Sequence, residues 1–141
     1  QAALFHDIGK LAIPDAILLK PGGLTAPEWS LMRDHAEESA RIIERLGFLG
    51  DAVPAIKHHH ERFDGTGYPE GLRGEEIPLG SRVLAVCASY VTPTQPPPPG
   101  KGLTPTDALT ELHRHAGTRY DPHVVRVTTA VIQDRHHALV T

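Results

Sequence analysis

The chain has 141 residues, a formal net charge of −3 with neutral histidines, and 40% hydrophobic residues. This size and composition fit one folded domain and exclude a disordered chain, and the charge is too balanced to predict DNA binding through a basic surface. The only cysteine is Cys87, so no internal disulfide can form, and no apolar run is long enough to cross a bilayer. We therefore expect a cytoplasmic protein without a membrane span.

The opening residues, Gln1 to Phe5, contain no methionine and have the pattern of a helix already under way. We expect residues 1–141 to form a single domain whose first helices are missing from this sequence. Glycine tolerates the left-handed backbone that follows many helices, so Gly9 predicts the end of the opening helix. His6 and Asp7 would then lie in its last turn, followed by an irregular connector.

A capping box begins the next predicted helix. In the stretch from Thr25 to Glu28, the threonine hydroxyl and the glutamate carboxylate can each accept a backbone N–H at the helix start. Gly47 predicts where this helix ends. Side chains at three- and four-residue steps predict one inward-facing stripe that includes a histidine. The stripe consists of Met32, His35, Ser39, Ile42, Ile43 and Leu46.

A third helix is predicted to run through the histidine triplet, with Val53, Ile56 and His60 on one face. His59 is one position further round, so its imidazole diverges from that of His60 by about 100°. The two rings can reach one ion only at the helix edge, or if the last turn is distorted. Residues 64–79 contain four glycines and two prolines, which predicts a loop.

The second half of the chain is also predicted to be helical. Residues 81–90 are apolar and are assigned to a helix because their surroundings are helical. Pro93 and the proline run after it exclude a helix, so residues 92–102 are predicted to be a proline-rich loop within the domain. Thr104 caps a further helix, and Gly117 is predicted to close it.

The last helix is predicted to begin at Asp121 and Pro122. Its predicted apolar face consists of Val124, Val125, Thr128, Val131 and Ile132. Because all the predicted regular elements are helices, the predicted fold class is all-α.

The chain has ten histidines, where about three are expected in an average chain of this length. Imidazole nitrogens and carboxylate oxygens from separate helices can hold divalent metal ions. A carboxylate has two oxygens, so Asp7 can bridge two ions, and ion pairs of this kind activate water against phosphate esters. His6 would serve one ion, and three histidines would serve the other: His35, His59 and His60.

Each of these signals also has a simpler interpretation. A histidine on an apolar stripe, such as His35, is more often a core residue than a ligand. A histidine triplet can be a solvated helix end, and the stretch from Asp64 to Gly67 is usually only a turn. Their order and spacing together favour the metal site.

In this order, the segments resemble the HD-GYP branch of the HD-domain metal-dependent phosphohydrolases. The resemblance covers roughly residues 3–130 and rests on His6 to Lys10, Leu19 to Thr25 with Glu28, His35, His59 to Glu61, Asp64 to Pro69, Gly71-Leu72, Gly74, Ile77-Pro78, Leu103 to Pro105, and Ala116 to Pro122. It implies an HD-domain helical bundle that hydrolyses cyclic di-GMP to linear pGpG or GMP with iron or manganese ions.

The resemblance also implies roles for individual residues. Asp7 and Lys10 are the expected catalytic residues, with Lys10 contacting the scissile phosphate. The expected metal ligands are His6, Asp7, His35, His59 and His60. The expected substrate loop, which is also implicated in docking diguanylate cyclase domains, consists of Asp64, Gly65, Thr66, Gly67, Tyr68 and Pro69.

The chain departs from the family pattern at several positions. The family usually has a metal-binding aspartate where this chain has Ala88, and a second aspartate where it has Val91. Its basic segment is replaced by Pro96 to Gly100, which leaves Lys101 as the remaining cation of that segment. Further family ligands, a glutamate and a histidine, would precede Gln1. We therefore expect one tight ion, with at most a weak second one, at the complete set Asp7, His35, His59 and His60.

Two functions follow from this pattern. The first is a metal-dependent phosphodiesterase of impaired activity that acts on cyclic di-GMP. The second is an inactive regulatory module that keeps the fold and binds a nucleotide or a diguanylate cyclase-type partner. The order of the motifs makes a helical packing domain with accidental histidines the weakest interpretation.

Overall fold

The computed structural model describes residues 1–47, 49–94 and 102–140, and in 136–140 only the backbone. Within these ranges every regular element is a helix, which confirms the all-α prediction. Short 3₁₀ helices span Ile8–Ala12, Gly50–Ala52 and Gly74–Glu76. The α-helices are α1 (Ala2–Phe5), α2 (Asp15–Leu18), α3 (Ala26–Arg33), α4 (His35–Leu46), α5 (Val53–Lys57), α6 (Leu79–Thr94), α7 (Pro105–Arg114) and α8 (Pro122–Val140).

The opening helix ends earlier than predicted, at Phe5, so His6 and Asp7 lie beyond it. Gly9 is not a left-handed cap but belongs to the following 3₁₀ helix. It is needed because the chain passes very close to α4 there. A Cβ at this position would lie 2.3 Å from the carbonyl oxygen of His35, and the Gly9 N–H donates to Ser39 Oγ at 2.8 Å.

We expect Gly9→Ala to destabilise the fold by about 1–3 kcal/mol, because backbone atoms of α4 would have to move to admit the methyl group. Thermal unfolding followed by circular dichroism measures this change. Gly23→Ala is the matched control, since its Cβ would meet no atom within 4 Å and its backbone is not left-handed. Equal melting temperatures for the two variants would contradict the close approach.

The predicted second helix is divided into α3 and α4. The capping box forms at its start, where Glu28 Oε2 accepts from the Thr25 N–H at 2.7 Å, and Gly47 ends α4 in the left-handed conformation with φ 74°. The division at Asp34 was not predicted. There the Nδ1–H of His35 donates to the carbonyl of Met32, the acceptor that Ala36 would use in a continuous helix.

The buried face of α4 is narrower than the predicted stripe. His35, Ser39 and Ile43 are buried, whereas Ile42 is half-buried and Leu46 at the helix end is 49% exposed. The histidine at the start of this face therefore lies inside the protein, while the end of the predicted stripe does not.

The third predicted helix also ends early. α5 stops at Lys57, and the three histidines that follow lie in a turn. The last turn of the predicted helix is therefore distorted, and the rings of His59 and His60 do not diverge as they would on a regular helix. The loop predicted over 64–79 is confirmed apart from a single 3₁₀ turn and the first residue of α6.

The C-terminal half contains α6, α7 and α8. Pro93 lies inside the last turn of α6, so the prediction that it excludes a helix is wrong. A proline so close to a helix end disturbs few hydrogen bonds, and the Thr94 hydroxyl donates to the Tyr90 carbonyl at 2.7 Å. Residues 92–94 of the predicted proline-rich loop are thus helical, while 95–101 lie outside the described residues.

The predicted start of α7 is confirmed, because Thr104 accepts from the Asp107 N–H at 3.1 Å. α7 ends at Arg114, three residues before the left-handed Gly117. α8 begins at Pro122 as predicted, but its buried face is limited. Val124 and Val125 are buried, whereas Val131 is 53% exposed because the second half of α8 extends beyond the core.

Two groups of buried side chains hold the helices together. One joins α4 and α5 through Ala40, Ile43, Leu49 and Ile56. The other joins α6, α7 and α8 through Val86, Leu112, Tyr120, Val124 and Val125. No helix in the described part of the chain combines the length and apolar character needed to cross a membrane.

Candidate metal centre and cleft

Four side chains from three separate segments converge on one point. Asp7 follows α1, His35 begins α4, and His59 and His60 lie in the turn after α5. Asp7 Oδ1 lies 3.4 Å from His35 Nε2 and 3.9 Å from His59 Nε2. His60 Nε2 lies 3.1 Å from His35 Nε2, and one ligand atom of each residue falls within 4.8 Å of all the others. Separations of roughly 3–4 Å are those of atoms that share one ion at about 2.0–2.2 Å.

Backbone carbonyls orient two of these imidazoles. His35 Nδ1 lies 2.5 Å from the Met32 carbonyl, and His59 Nδ1 lies 2.6 Å from the Ile56 carbonyl. A carbonyl can only accept, so each Nδ1 carries the proton and each neutral ring directs the lone pair of Nε2 into the cluster. Metal-ligating histidines in proteins are typically held in this way.

Burial keeps His59 and His60 unprotonated. Burial lowers the pKa of His59 to about 4 and, together with the neighbouring imidazoles, lowers that of His60 to about 3. Burial alone would raise the pKa of Asp7, but the hydrogen bond from Lys10 Nζ and the charge of that group, 2.7 Å from Asp7 Oδ2, hold it below its usual range. At neutral pH the cluster therefore combines an anionic carboxylate with neutral nitrogen donors.

The cluster is better suited to binding a cation than to packing in the core without one, because it contains unpaired buried polar atoms. Asp7 Oδ1 and His59 Nε2 are buried and have no hydrogen-bond partner within the described residues. Leaving a buried polar atom unpaired costs about 1–3 kcal/mol. A divalent ion would satisfy both atoms, and mixed nitrogen and oxygen donors suit transition metals.

His6 and Lys10 face the other oxygen of the same carboxylate. His6 Nε2 lies 3.5 Å from Asp7 Oδ2, and Lys10 Nζ lies 2.7 Å from it. His6 is thus near the cluster but is not one of the four converging ligands. Asp7 divides its two oxygens between the histidine group and this second pair.

The cluster opens into a cleft of about 1080 Å³. Ala88 of α6 lines this cleft together with His6 and Asp7, so a methyl group stands where the sequence analysis placed a lost aspartate. Of the predicted substrate loop, three residues line the cleft: Thr66, Gly67 and Tyr68. Lys101 lies outside the described residues.

The other predicted loop residues lie behind this surface. Asp64 accepts from the Thr66 N–H at 3.0 Å and pairs with Arg62 at 3.0 Å. Gly65 is left-handed with φ 82°, and Pro69 follows Tyr68 directly. These residues shape the loop, and they are not among the side chains that line the cleft.

Glu61 anchors the loop to the histidine turn, a role that the sequence analysis missed. Its buried carboxylate accepts the N–H groups of Glu70 and Gly71 at 2.7 and 3.0 Å. Gly67 packs so closely that a Cβ would lie 2.3 Å from the Arg62 nitrogen. The loop is therefore held directly against the turn that carries His59.

Three arginines of the cleft were also missed. Arg33 comes from α3, Arg62 from the histidine segment, and Arg119 from the segment before α8. The sequence offered one usable signal, since Arg33 follows Trp29 by four residues and both therefore lie on one face of α3. The positions of Arg62 and Arg119 depend on tertiary packing, and no local pattern indicates them.

Comparison with known proteins decides the family. The family model described as HD domain matches residues 1–124. The chain belongs to the HD domain family. The resemblance to phosphodiesterases of HD-GYP type is confirmed.

This HD domain is similar to several phosphodiesterases. It is 44% identical over 128 residues to a cyclic di-GMP phosphodiesterase of Pseudomonas aeruginosa, covering 89% of this chain and 30% of that protein. It is 43% identical to 3'3'-cGAMP-specific phosphodiesterase 2 of Vibrio cholerae, covering 61% of this chain and 17% of that protein. The chain thus spans less than a third of these two relatives.

A solved structure shares the fold. The crystal structure of a cyclic GMP-AMP specific phosphodiesterase of Vibrio cholerae matches with a TM-score of 0.66 and 20% sequence identity. The match covers 94% of this chain and 37% of that chain. The described helices therefore share the fold of that solved structure.

Proposed function

We propose that this HD domain is a metal-dependent phosphodiesterase that hydrolyses cyclic di-GMP to linear pGpG or GMP, with impaired activity. The observation that carries the proposal is the convergence of Asp7, His35, His59 and His60 beside Lys10 at one cleft. Relatives named as cyclic di-GMP phosphodiesterases support the choice of substrate.

The metal proposed for the cluster is iron or manganese. Asp7, His35, His59 and His60 would hold one tight ion, and His6 with Asp7 Oδ2 would offer only two ligands for a weak second one. A divalent ion held there would supply Lewis-acid chemistry, activating water and neutralising phosphate charge.

The protein's own groups position the substrate around this centre. Lys10 Nζ contacts Asp7 Oδ2 at 2.7 Å and lines the cleft, so it can donate hydrogen bonds to an oxygen of the scissile phosphate or to the leaving oxygen. Tyr68 stacks on the His60 ring at a centroid distance of 4.8 Å. This stack closes one side of the cleft next to the cluster and limits where the reacting phosphate can lie.

The proposal includes a protein partner and a cellular location. The loop with Thr66, Gly67 and Tyr68 at the cleft, and Asp64, Gly65 and Pro69 behind it, would dock a diguanylate cyclase domain. Lys101 would add a cation beside the substrate. The single cysteine supports a reducing, cytoplasmic setting.

A second function is favoured by one observation. Ala88 lines the cleft with a methyl group, and the family pattern has a metal-binding aspartate at this position of the sequence. A domain with one ion and no second site could bind a cyclic dinucleotide or a cyclase-type partner as an inactive regulatory module.

The two functions are separated by one experiment. The chain is loaded anaerobically with iron or manganese, its metal content is measured, and it is incubated with cyclic di-GMP before chromatography of the products. We expect about one tightly held ion per chain and slow formation of pGpG or GMP. Binding of cyclic di-GMP without product would favour the regulatory module, and absence of both binding and product would contradict the proposed function.

We expect Ala88→Asp to raise occupancy of the second ion and to increase cyclic di-GMP hydrolysis by about tenfold, the scale on which supporting ligands tune metal sites. Metal stoichiometry and initial rates measure the two effects. Val83→Asp is the matched control, because Val83 lies on the same helix but is exposed and does not line the cleft. A variant that melts lower and binds no additional ion would show that Ala88 is not a lost ligand.

A further inference from the structure

The metal cluster and Lys10 account for one phosphate, but a cyclic dinucleotide carries two. The phosphates lie on opposite sides of its sugar–phosphate ring, and each carries one negative charge. A cleft that binds the whole molecule therefore needs a second cationic position away from the metal centre. This requirement rests on the proposed function.

The described cations of the cleft differ in whether they are already paired. Lys10 is paired with Asp7 at 2.7 Å. Arg62 is paired with Asp64 at 3.0 Å and donates to Thr66 Oγ1 at 2.7 Å. Arg33 and Arg119 also line the cleft, and neither forms an ion pair with any described side chain. Glu111, one of the acids in the cleft lining, contacts Arg114 and His115.

The guanidinium groups of both arginines lie over aromatic rings. The guanidinium carbon of Arg33 lies 5.3 Å from the centre of the Tyr68 ring, and that of Arg119 lies 5.2 Å from the centre of the Tyr120 ring. A guanidinium that lies over a ring keeps its N–H groups at the edge, where they can bind both oxygens of a phosphate. The contacts therefore order the two cations without using their donors.

Tyr68 contacts both the metal cluster and one arginine of the pair, Arg33. The same ring stacks on His60 at 4.8 Å and lies beneath Arg33, so one aromatic side chain separates the cluster from the arginine. The backbone of Arg119 lies next to the substrate loop, since its carbonyl accepts from the N–H of Phe63, the residue before Asp64, at 3.3 Å. Both arginines therefore adjoin the substrate loop and line the same cleft as the metal cluster.

A base-stacking surface adjoins the pair. Trp29 is 48% exposed, lines the cleft and lies one helical turn before Arg33 on α3. An exposed indole beside a phosphate-binding group is the combination that binds nucleotides by stacking on the base.

We propose that Arg33 and Arg119 bind the second, non-reacting phosphate of the cyclic dinucleotide, and that Trp29 stacks on an adjoining base. The two arginines set the preference for a ligand with two phosphates and are not part of the hydrolytic centre. Within the cleft they supply the cationic surface that the family pattern places in the segment of Lys101.

The test uses the single tryptophan of the chain as a probe. Rapid mixing of the metal-loaded protein with cyclic di-GMP, followed by Trp29 fluorescence, gives a dissociation constant before turnover. We expect Arg33→Gln and Arg119→Gln each to raise this constant about tenfold, the scale of one lost charge-assisted contact. Arg33→Lys should restore part of the loss, since it keeps the charge without the planar fork. The metal content of the loaded variants should stay unchanged.

Arg126→Gln is the matched control, because Arg126 is exposed on α8 and does not line the cleft. Dissociation constants within twofold of the original for either Arg33→Gln or Arg119→Gln would overturn the two-arginine assignment while leaving the proposed function standing. If the unchanged protein binds neither cyclic di-GMP nor 3'3'-cGAMP, the proposed function falls, and the second-phosphate site falls with it.

Discussion

Asp7→Ala removes tight metal binding from the chain, with an expected loss of at least about 100-fold in metal affinity. Asp7 is the only carboxylate among the four converging ligands, and its Oδ1 has no other partner within the described residues. Without it, three neutral imidazoles would have to hold a doubly charged ion alone. His35→Ala should have a similar effect, because its Nε2 contacts both Asp7 and His60. Elemental analysis after anaerobic loading and desalting measures the change.

The control for this result is His113→Ala. His113 is an exposed residue of α7 whose Nε2 lies 3.0 Å from the Thr129 hydroxyl, on a helix that contributes no ligand to the cluster. The His113→Ala variant should therefore keep the full metal content. Retention of the ion by Asp7→Ala, or equal loss from His113→Ala, would show that the metal binds somewhere else.

Lys10→Gln should lower kcat for cyclic di-GMP by about 100-fold while changing KM little. A preorganised donor aimed at the charge that develops in the transition state typically contributes 10²–10³ in rate. Glutamine keeps the polarity and approximate length of the side chain but removes the charge that lies 2.7 Å from Asp7. Steady-state kinetics measures the effect, and metal content shows whether Asp7 still holds its ion.

Lys20→Gln provides the comparison for Lys10. Lys20 pairs with Glu28 at 2.7 Å, outside the cleft, so its loss should leave kcat unchanged. A change confined to KM in Lys10→Gln would assign that lysine to substrate binding instead of transition-state stabilisation. An unchanged kcat and KM would remove it from the proposed mechanism.

The parts of the fold that the sequence predicts are those set by neighbouring residues. The caps at Thr25 and Thr104 and the left-handed Gly47 form as predicted, because each depends on hydrogen bonds or backbone freedom within one turn. Gly9 was assigned the wrong role for the opposite reason. Its requirement comes from α4, which lies some thirty positions later in the chain.

The convergence of the metal cluster could be only partly predicted. The residue types and their order indicated the ligands, but helical periodicity placed His59 and His60 on diverging directions. Their rings are brought together, at 4.0 Å between centroids, because α5 ends at Lys57 and the chain turns. No local pattern predicts that ending, since Lys57 and His58 are both compatible with a helix.

The arginine pair of the cleft, Arg33 and Arg119, was only partly predictable from neighbouring residues. The family pattern places substrate-binding cations in the segment around Lys101. Arg33 and Arg119 reach the cleft from α3 and from the segment before α8 through packing against Tyr68 and Tyr120. Arg33 and Tyr68 are distant in the chain, and Arg119 reaches the cleft only through the fold of its segment, so neither position leaves a periodic signal.

The three-segment origin of the cluster has a consequence for stability. An ion shared by Asp7, His35 and His59 would close two loops of the chain, as a cross-link does, and an unfolded chain offers no such preformed site. At a free metal concentration 100 times the dissociation constant, binding to the folded state alone contributes about 2.7 kcal/mol. If the cluster holds its ion, we therefore expect the melting temperature of this domain to rise with the free metal concentration and to fall when a chelator is added.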